Sequence, residues 1–249
     1  MGPVTQRPAS VRARPLARTA GAGLALLAGL LLLAGCKSLS QVGAAASTHN
    51  PPANAFTVSA RVTDVVVDGG SGSVDVTGSS RSTVSVSQHA SYSKTAPSTK
   101  HVLHGSTLTM SYTCPVELEC GVSYNVQVPR GVAVSVSTSA GSVTLTALAG
   151  QVSVRADAGL ITAVALASPV ASFKSDAGGV IATFSAAPTS LTATTNVGPI
   201  TLTVPGSVAY LVDAHTVIGS STVTVKRGTS SAHSISARSD VGSVSINPS

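Results

Sequence analysis

Four side chains that carry oxygen ligands recur at one place in a repeated phrase. Asp157, Asp176, Asn196 and Asp240 each stand two residues before a glycine. If copies of the phrase stack, these oxygens could line up on one edge and ligate calcium, a hard cation that prefers carboxylate and amide oxygens. Asp and Asn are also the residues that turns prefer ahead of a glycine, where they bond to the local backbone. We therefore interpret them as turn residues and predict no metal site.

Candidates for nucleophilic or acid–base catalysis are scarce. Serine is abundant, but no Gly-x-Ser-x-Gly elbow is present. His101 and His104 are three residues apart, and in a strand this spacing sends the side chains to opposite faces, so we expect exposed, unpaired histidines. Glycan-cleaving enzymes need clustered carboxylates and usually aromatic sugar platforms, whereas this chain has 4 Tyr, 3 Phe and no Trp. The sequence predicts no enzyme and no cofactor.

The 3 cysteines divide into one candidate for lipidation and one pair. Cys114 and Cys120 enclose the short segment Pro-Val-Glu-Leu-Glu, and an even pair in an exported protein predicts a disulfide. A metal or redox pair is the alternative, but the spacing is not Cys-x-x-Cys and no histidine is near in sequence.

The first 35 residues have the pattern of a secretion signal. Four arginines precede an apolar run from Ala20 to Ala34, which ends in Leu-Ala-Gly-Cys at Cys36. This ending resembles the lipobox of bacterial lipoproteins, in which cleavage before the cysteine leaves a thiol that carries lipid. The alternative is an uncleaved transmembrane anchor, but a spanning helix needs about 20 apolar residues. We predict lipidation at Cys36 and attachment to the extracytoplasmic face of the cell membrane.

The apparent basicity of the chain belongs mostly to this signal. Four of the 15 Lys and Arg lie in it, whereas all 9 Asp and Glu lie outside. A nearly neutral mature chain lacks the electrostatic footprint of a nucleic-acid-binding protein. Enrichment in Ala, Gly, Ser, Thr and Val, with more Arg than Lys, suggests a GC-rich bacterial genome, such as that of an actinobacterium.

A repeated phrase predicts the fold. It consists of a polar residue, Ala or Val, Gly, any residue, and Val or Ile, and its glycines follow one another at intervals of 18, 19, 20 and 44 residues. Each glycine marks a sharp corner followed by a strand with an inward Val or Ile. Such a period predicts an all-β solenoid with about 20 residues per coil; a β-sandwich of short strands is the alternative. The repeat-turn glycines are Gly141, Gly159, Gly178, Gly198 and Gly242.

Composition divides the chain into three parts. Residues 1–35 form the signal peptide, and residues 36–55, which are small and polar with two prolines, form a flexible tether. Residues 56–249 form the β-solenoid domain, with an irregular N-terminal part at 56–128 and regular repeats at 129–249. No stretch of this domain has the 3.6-residue periodicity of a helix.

Two further motifs carry a family resemblance. Together with the tandem glycine turns, Val-Pro-Arg-Gly at 128–131 and Thr-Val-Pro-Gly at 203–206 resemble the DUF4097 putative-adhesin family over roughly residues 58–246. The resemblance implies a single-stranded right-handed β-helix in a bacterial envelope protein, with adhesion as the family's label and no catalytic residues to transfer. The chain departs from the family pattern at residues 213–221, where the repeat is blurred.

These observations predict a non-enzymatic, lipid-anchored surface protein, an adhesin or an interaction scaffold of the cell envelope. It would bind a cell-wall, surface-protein or glycan partner through an extended Ser/Thr-rich face, and unpaired strand edges at the ends of the solenoid would favour self-association. Thr-x-Thr pairs such as Thr144/Thr146 could form a flat array like that of ice-binding solenoids, but threonine suits any exposed strand face. The alternative function is a glycan-active envelope enzyme or an envelope stress-sensing accessory protein.

Overall fold

A computed structural model describes residues 53–115 and 120–249, and within them every regular element is a β-strand. The described residues form one compact unit, whereas Cys36 and the predicted signal peptide lie outside them. The strands are β1 (Asn54–Val58), β2 (Asp64–Asp68), β3 (Val74–Ser79), β4 (Val84–Tyr92), β5 (Ser98–His104), β6 (Thr107–Thr113), β7 (Cys120–Pro129), β8 (Ala133–Ala140), β9 (Val143–Thr146), β10 (Val152–Ala158), β11 (Ile161–Leu166), β12 (Val170–Ala177), β13 (Val180–Phe184), β14 (Ser190–Val197), β15 (Ile200–Val204), β16 (Leu211–Ile218), β17 (Ser221–Val223), β18 (Ser234–Val241) and β19 (Val244–Pro248).

The strands form two sheets that share one interior. Sheet A has the order β1-β4-β7-β3-β9-β11-β13-β15-β19-β17, and sheet B has the order β16-β18-β14-β12-β10-β8-β2-β6-β5. Each coil consists of one strand of sheet B, a sharp corner and the next strand of sheet A. The strands of neighbouring coils pair in parallel. This all-β solenoid is the predicted fold, and its parallel pairing rules out the sandwich of antiparallel hairpins.

The coils are not stacked in the order of the sequence at either end. The last coil in sequence, β18 with β19, lies between β14–β15 and β16–β17, so that β16–β17 forms the end of the stack. At the other end, β2–β3 lies between β8–β9 and β6–β7. The prediction that consecutive segments stack consecutively therefore holds only from β8 to β15. The stretch 56–128, which we expected to be irregular, contributes two coils to the same stack.

Alternating side chains fill the interior. In β10 the pattern is buried and exposed in turn, with Val152, Val154 and Ala156 inside, and β12 places Ala171 and Phe173 beside them. Val, Ile and Leu from every coil join this continuous core. Burial of the core side chains stabilises the unit by roughly 25 cal/mol per Å² of apolar surface, and no coil could bury its inner face alone.

Glycine is required at the corner between the two sheets. Gly159 and Gly178 have φ of 142° and 148°, and a Cβ on Gly178 would lie 2.0 Å from the carbonyl oxygen of Gly159 in the adjacent coil. The other repeat-turn glycines have φ between 142° and 151°. Gly219 has the same conformation, so the segment where the phrase is blurred in sequence keeps the corner in structure.

Antiparallel strands close the N-terminal end of the stack. In sheet A, β4 pairs antiparallel with β7, and β1 pairs antiparallel with β4. In sheet B, β5 pairs antiparallel with β6. The ring of Phe56 in β1 stacks on the ring of His101 in β5, with centroids 4.0 Å apart, and this contact connects the two sheets. The first strand begins at Asn54, two residues inside the segment that the sequence assigns to the tether.

A disulfide joins Cys114 to Cys120, as the sequence predicts. It bridges the connection between β6 and β7, the place that a glycine corner occupies in the coils of the regular repeats. Across the part of the chain that the structure describes, no helix has the length and apolarity needed to cross a membrane.

Candidate binding surfaces

The outward face of sheet A carries threonines in register. Thr144, Thr162, Thr201 and Thr222 occupy equivalent positions in different coils, together with Asp75, Ile181 and Ser245. A second row two residues further along includes Thr77, Thr146, Thr183 and Thr203. We call these two rows the threonine face. Neighbouring hydroxyls are about 4.8 Å apart along a row and about 6.7 Å apart between rows, because these distances are fixed by strand geometry.

Most hydroxyls of the first row are available to a ligand. No protein group among the described residues forms a side-chain hydrogen bond with Thr144, Thr162 or Thr201, whereas Thr183 of the second row donates to the carbonyl oxygen of Ala163. Ile181, with 41% of its surface exposed, interrupts the first row. The face is therefore a long, weakly charged surface with donors and acceptors at regular intervals.

The outward face of sheet B carries charge instead. Nζ of Lys174 lies 3.9 Å from one carboxylate oxygen of Asp176, and the guanidinium of Arg155 lies 3.8 Å from the other. Arg155 also lies 3.9 Å from Asp157, and the amide of Asn196 donates to Asp176 at 3.4 Å. These exposed pairs contribute little to stability individually, but the contacts of Asp176 with Arg155 and with Asn196 connect adjacent coils.

The Asp and Asn residues of the repeat belong to strands. Asp157, Asp176, Asn196 and Asp240 lie inside β10, β12, β14 and β18, just before the corners, with exposed or partly exposed side chains. Asp176 bonds to side chains of adjacent coils and not to the local backbone, so the turn interpretation is wrong for it. Within residues 53–115 and 120–249, no three His, Cys, Asp or Glu side chains converge on a point that could hold a metal ion.

A buried row of hydroxyls supports the glycine corner from the inside. The residue three positions before each corner glycine faces inward, and successive coils place Thr138, Ala156, Ser175, Thr195, Ser239 and Thr216 at this position. Thr195 and Ser239 both donate to the carbonyl oxygen of Gly198, at 2.9 and 3.0 Å. Our sequence reasoning missed this row, although Ser or Thr recurs three residues before most of the glycines.

Two buried tyrosines differ in how their hydroxyls are satisfied. Tyr210 donates to the carbonyl oxygen of Pro205 at 2.9 Å. Among the described residues, the hydroxyl of Tyr124 finds no hydrogen-bond partner, and neither does the side-chain oxygen of Gln88, which pairs with it across β4 and β7. Burial, with a smaller contribution from the nearby Tyr112 and Asp68, raises the pKa of Tyr124 to about 12. Burial also raises the pKa of Tyr210.

The two histidines singled out in the sequence both lie on β5, where all seven residues are exposed. His101 is not unpaired, because its ring stacks on Phe56. A shallow groove of about 320 Å³ lies over β14, β18 and β16 on the outward face of sheet B. Its lining includes Thr192, Leu211, Asp213 and Ser236.

Comparison with known proteins identifies the fold. No family model and no curated protein matches the sequence. A solved structure named as a putative cell adhesion protein from Clostridium sporogenes is 13% identical with a TM-score of 0.50, and the match covers 80% of this chain and 100% of that chain. A putative adhesin from Bacteroides fragilis is 14% identical (TM-score 0.42; 79% and 97% covered), and a putative lipid binding protein from Parabacteroides distasonis is 12% identical (0.29; 80% and 97%). The Clostridium structure shares the fold of this chain, and these organisms belong to other bacterial groups than the actinobacteria that composition suggests.

Proposed function

We propose that this protein is a non-enzymatic surface protein of the bacterial envelope that binds a cell-wall or surface glycan through the threonine face. The observation that carries the proposal is the register of the free hydroxyls of Thr144, Thr162 and Thr201 along sheet A. Sugar hydroxyls both donate and accept hydrogen bonds, as threonine hydroxyls do. A repeating polymer can therefore contact successive coils with the same group. Many weak contacts on a rigid surface then add up to useful affinity.

Cys36 completes the proposal. Lipidation of this cysteine would hold the protein on the extracytoplasmic face of the membrane, and two or three acyl chains anchor a protein stably. Residues 37–53 then connect the anchor to β1. The shared fold with a protein named for cell adhesion agrees with this assignment, as does the resemblance to the DUF4097 family. The low charge of the threonine face favours a neutral polymer over a charged one.

Binding to isolated cell walls tests the threonine face. Residues 44–249 would be labelled and titrated against cell walls with and without their attached polysaccharides, and against intact cells. Replacing Thr144, Thr162 and Thr201 with Val removes three hydroxyls and keeps the β-branched shape, so we expect weaker binding with unchanged circular dichroism. The matched control removes the hydroxyls of Ser153, Ser172 and Thr192, which are in register on sheet B.

Equal loss of binding in both triple variants would show that the threonine face is not the site. Binding to intact cells that is abolished by protease treatment of those cells would show a protein partner instead of a glycan. For the anchor, Cys36→Ser should abolish incorporation of labelled palmitate and release the protein from the membrane fraction. Retention of palmitate in this variant would contradict lipidation at Cys36.

A further inference from the structure

The two ends of the stack differ in how well they are covered. At the N-terminal end, β1 and β5 meet through Phe56 and His101, and the exposed strand β5 carries Lys100, a charge of the kind that protects sheet edges. At the other end, β16 is the last strand of sheet B in the described residues and pairs only with β18. Along β16, Leu211, Val217 and Ile218 are 50%, 67% and 65% exposed. This strand edge is long, apolar and open.

A neighbouring loop limits the open edge to seven residues. The backbone N–H of Tyr210 donates to the carbonyl oxygen of Lys226, and the N–H of Gly228 donates to the carbonyl oxygen of Tyr210. The segment 226–228 therefore occupies the edge beside Tyr210, immediately before β16. At the far end of β16, the chain turns at Gly219 towards sheet A. Between these limits, from Leu211 to Val217, no other strand pairs with this edge in the described residues. The carbonyl oxygen of Ala214 accepts a long hydrogen bond of 3.4 Å from the hydroxyl of Ser221, which a backbone N–H of another strand would replace.

These seven residues are complementary to themselves in the antiparallel direction. Their sequence is Leu-Val-Asp-Ala-His-Thr-Val, centred on Ala214. When two copies pair with Ala214 opposite Ala214, Asp213 of each faces His215 of the other, and Leu211 faces Val217. The inward residues match as well, because Val212 then faces Thr216. At directly opposed positions, apolar pairs stabilise a sheet, and an imidazole N–H can donate a hydrogen bond to a carboxylate.

Neighbouring registers lose this complementarity. Residues that point outward must face residues that point outward, so the register can shift only in steps of two. A shift one way places Asp213 opposite Asp213, and a shift the other way places His215 opposite His215. Two opposed carboxylates repel each other, which destabilises a strand pair, and two opposed imidazoles have no carboxylate to accept their N–H groups.

We propose that the end of the stack formed by β16 is a homodimer interface, in which β16 pairs antiparallel with β16 of a second copy about a twofold axis that passes between the two Ala214 residues. A twofold interface uses the same patch on both copies, as a self-complementary strand requires. The fold already accepts an antiparallel strand on a parallel stack, because β4 pairs in this way with β7 at the other end. The second copy would also cover the half-buried side chains of Val212, Ala214 and Thr216.

The dimer places the two β1 strands at opposite ends. The described chain begins at residue 53, directly before β1. Strand β1 lies at the end of the stack remote from β16. In two copies joined through β16, the points at which the described chains begin are therefore far apart. If the chain is anchored at Cys36, as the proposed function has it, the dimer links two facing membranes and not two neighbours on one membrane. The dimer itself does not depend on the anchor or on a glycan.

Charge-swap variants of residues 44–249 test the pairing by sedimentation equilibrium. Asp213→His places His opposite His, and His215→Asp places Asp opposite Asp, so each variant alone should dimerise about tenfold or more weakly than the parent. A mixture of the two variants restores both pairs in a heterodimer, and we expect its affinity to return to within about threefold of the parent. The double variant Asp213→His with His215→Asp should also form homodimers.

Thr192→His and Thr194→Asp are the matched controls, because they introduce the same groups in the same rows of sheet B but on β14, inside the stack. We expect both to dimerise like the parent. Beads that carry the parent through its N-terminus should cluster, and beads of either single variant should cluster only when mixed with the other.

Several results would overturn the proposal. They are a parent that stays monomeric into the millimolar range, a mixture no tighter than the single variants, and growth into open-ended filaments, which would indicate head-to-tail stacking. Loss of dimerisation in the control variants would place the interface on the face of sheet B. Dimerisation with no cell-wall binding would refute the proposed function and leave this interface standing.

Discussion

Replacing Gly178 with Ala probes the feature on which the stack depends most directly. Gly178 lies at a corner in the middle of the stack, with φ of 148°, and its added Cβ would lie 2.0 Å from the carbonyl oxygen of Gly159. Real Cβ atoms essentially never come within 3.0 Å of such an atom. The adjacent coils would have to separate by about 1 Å at this corner, since neither atom belongs to a flexible side chain.

The expected loss follows from two contributions. A φ in this region, which is accessible almost only to glycine, costs about 1–3 kcal/mol in any other residue. Separation of the two coils weakens the hydrogen bonds between them on either side of the corner, from Gly159 N–H to the carbonyl of Ala177 and from Ile161 N–H to the carbonyl of Gly179, which are 2.9 and 3.0 Å long. Each contributes about 1 kcal/mol. We therefore expect Gly178→Ala to lower the free energy of unfolding by about 3–5 kcal/mol.

Urea unfolding followed by circular dichroism would measure this loss on residues 44–249. Gly131→Ala is the control without either effect, because its Cβ would meet no atom within 4 Å and its φ is not in the left-handed region; it should change stability by less than about 1 kcal/mol. Gly105→Ala separates the contributions, since Gly105 has φ of 60° but open space around it. A loss for Gly178→Ala that is no larger than that for Gly105→Ala would refute the steric argument.

Three further predictions concern single groups. Tyr124→Phe should leave stability unchanged or raise it, since the hydroxyl of Tyr124 has no partner, whereas Tyr210→Phe should cost about 1 kcal/mol in urea unfolding. The pKa of Tyr124 is about 12 in the folded state and 10.0 in the unfolded chain, so its contribution to stability is complete below pH 10 and is lost as the pH rises towards 12. We therefore expect Tyr124→Phe to shift the midpoint of alkaline unfolding to higher pH. An unchanged midpoint would contradict the raised pKa of Tyr124. Reduction of the Cys114–Cys120 disulfide should lower the free energy of unfolding by about 2 kcal/mol without changing the strand content seen by circular dichroism. Ala165→Gly should raise the melting temperature, because Ala165 has φ of 53°, and a lower melting temperature would show that this strain is absent.

The repeated phrase was sufficient to predict coils, corners and an interior of Val and Ile. Glycine adopts a positive φ more readily than any other residue, which indicates sharp corners, and few folds repeat such a corner at a regular interval. The corner residues are Gly141, Gly159, Gly178, Gly198 and Gly242. The alternation of apolar and polar residues then identifies which side chains face inward, because the period of a strand is two. For the same reason the hydroxyls of the threonine face could be expected to point outward.

The order of the coils could not be predicted. All corners resemble one another locally, so nothing in the sequence shows that β18–β19 is inserted between β14–β15 and β16–β17, or that β16 is left with an open edge. The contacts of the acidic residues were missed for a related reason. Arg155 and Asp176 are 21 residues apart in sequence and meet only because β10 and β12 are adjacent.

The sequence by itself determined the local geometry of this protein, because the corner glycines, the two-residue alternation and the cysteine spacing act over a few residues. Only the tertiary structure decided which coils are neighbours, which hydroxyls form rows and which strand ends the stack. These depend on contacts between segments distant in sequence, where several pairings bury nearly the same valine side chains and the best packing of the whole chain selects one of them.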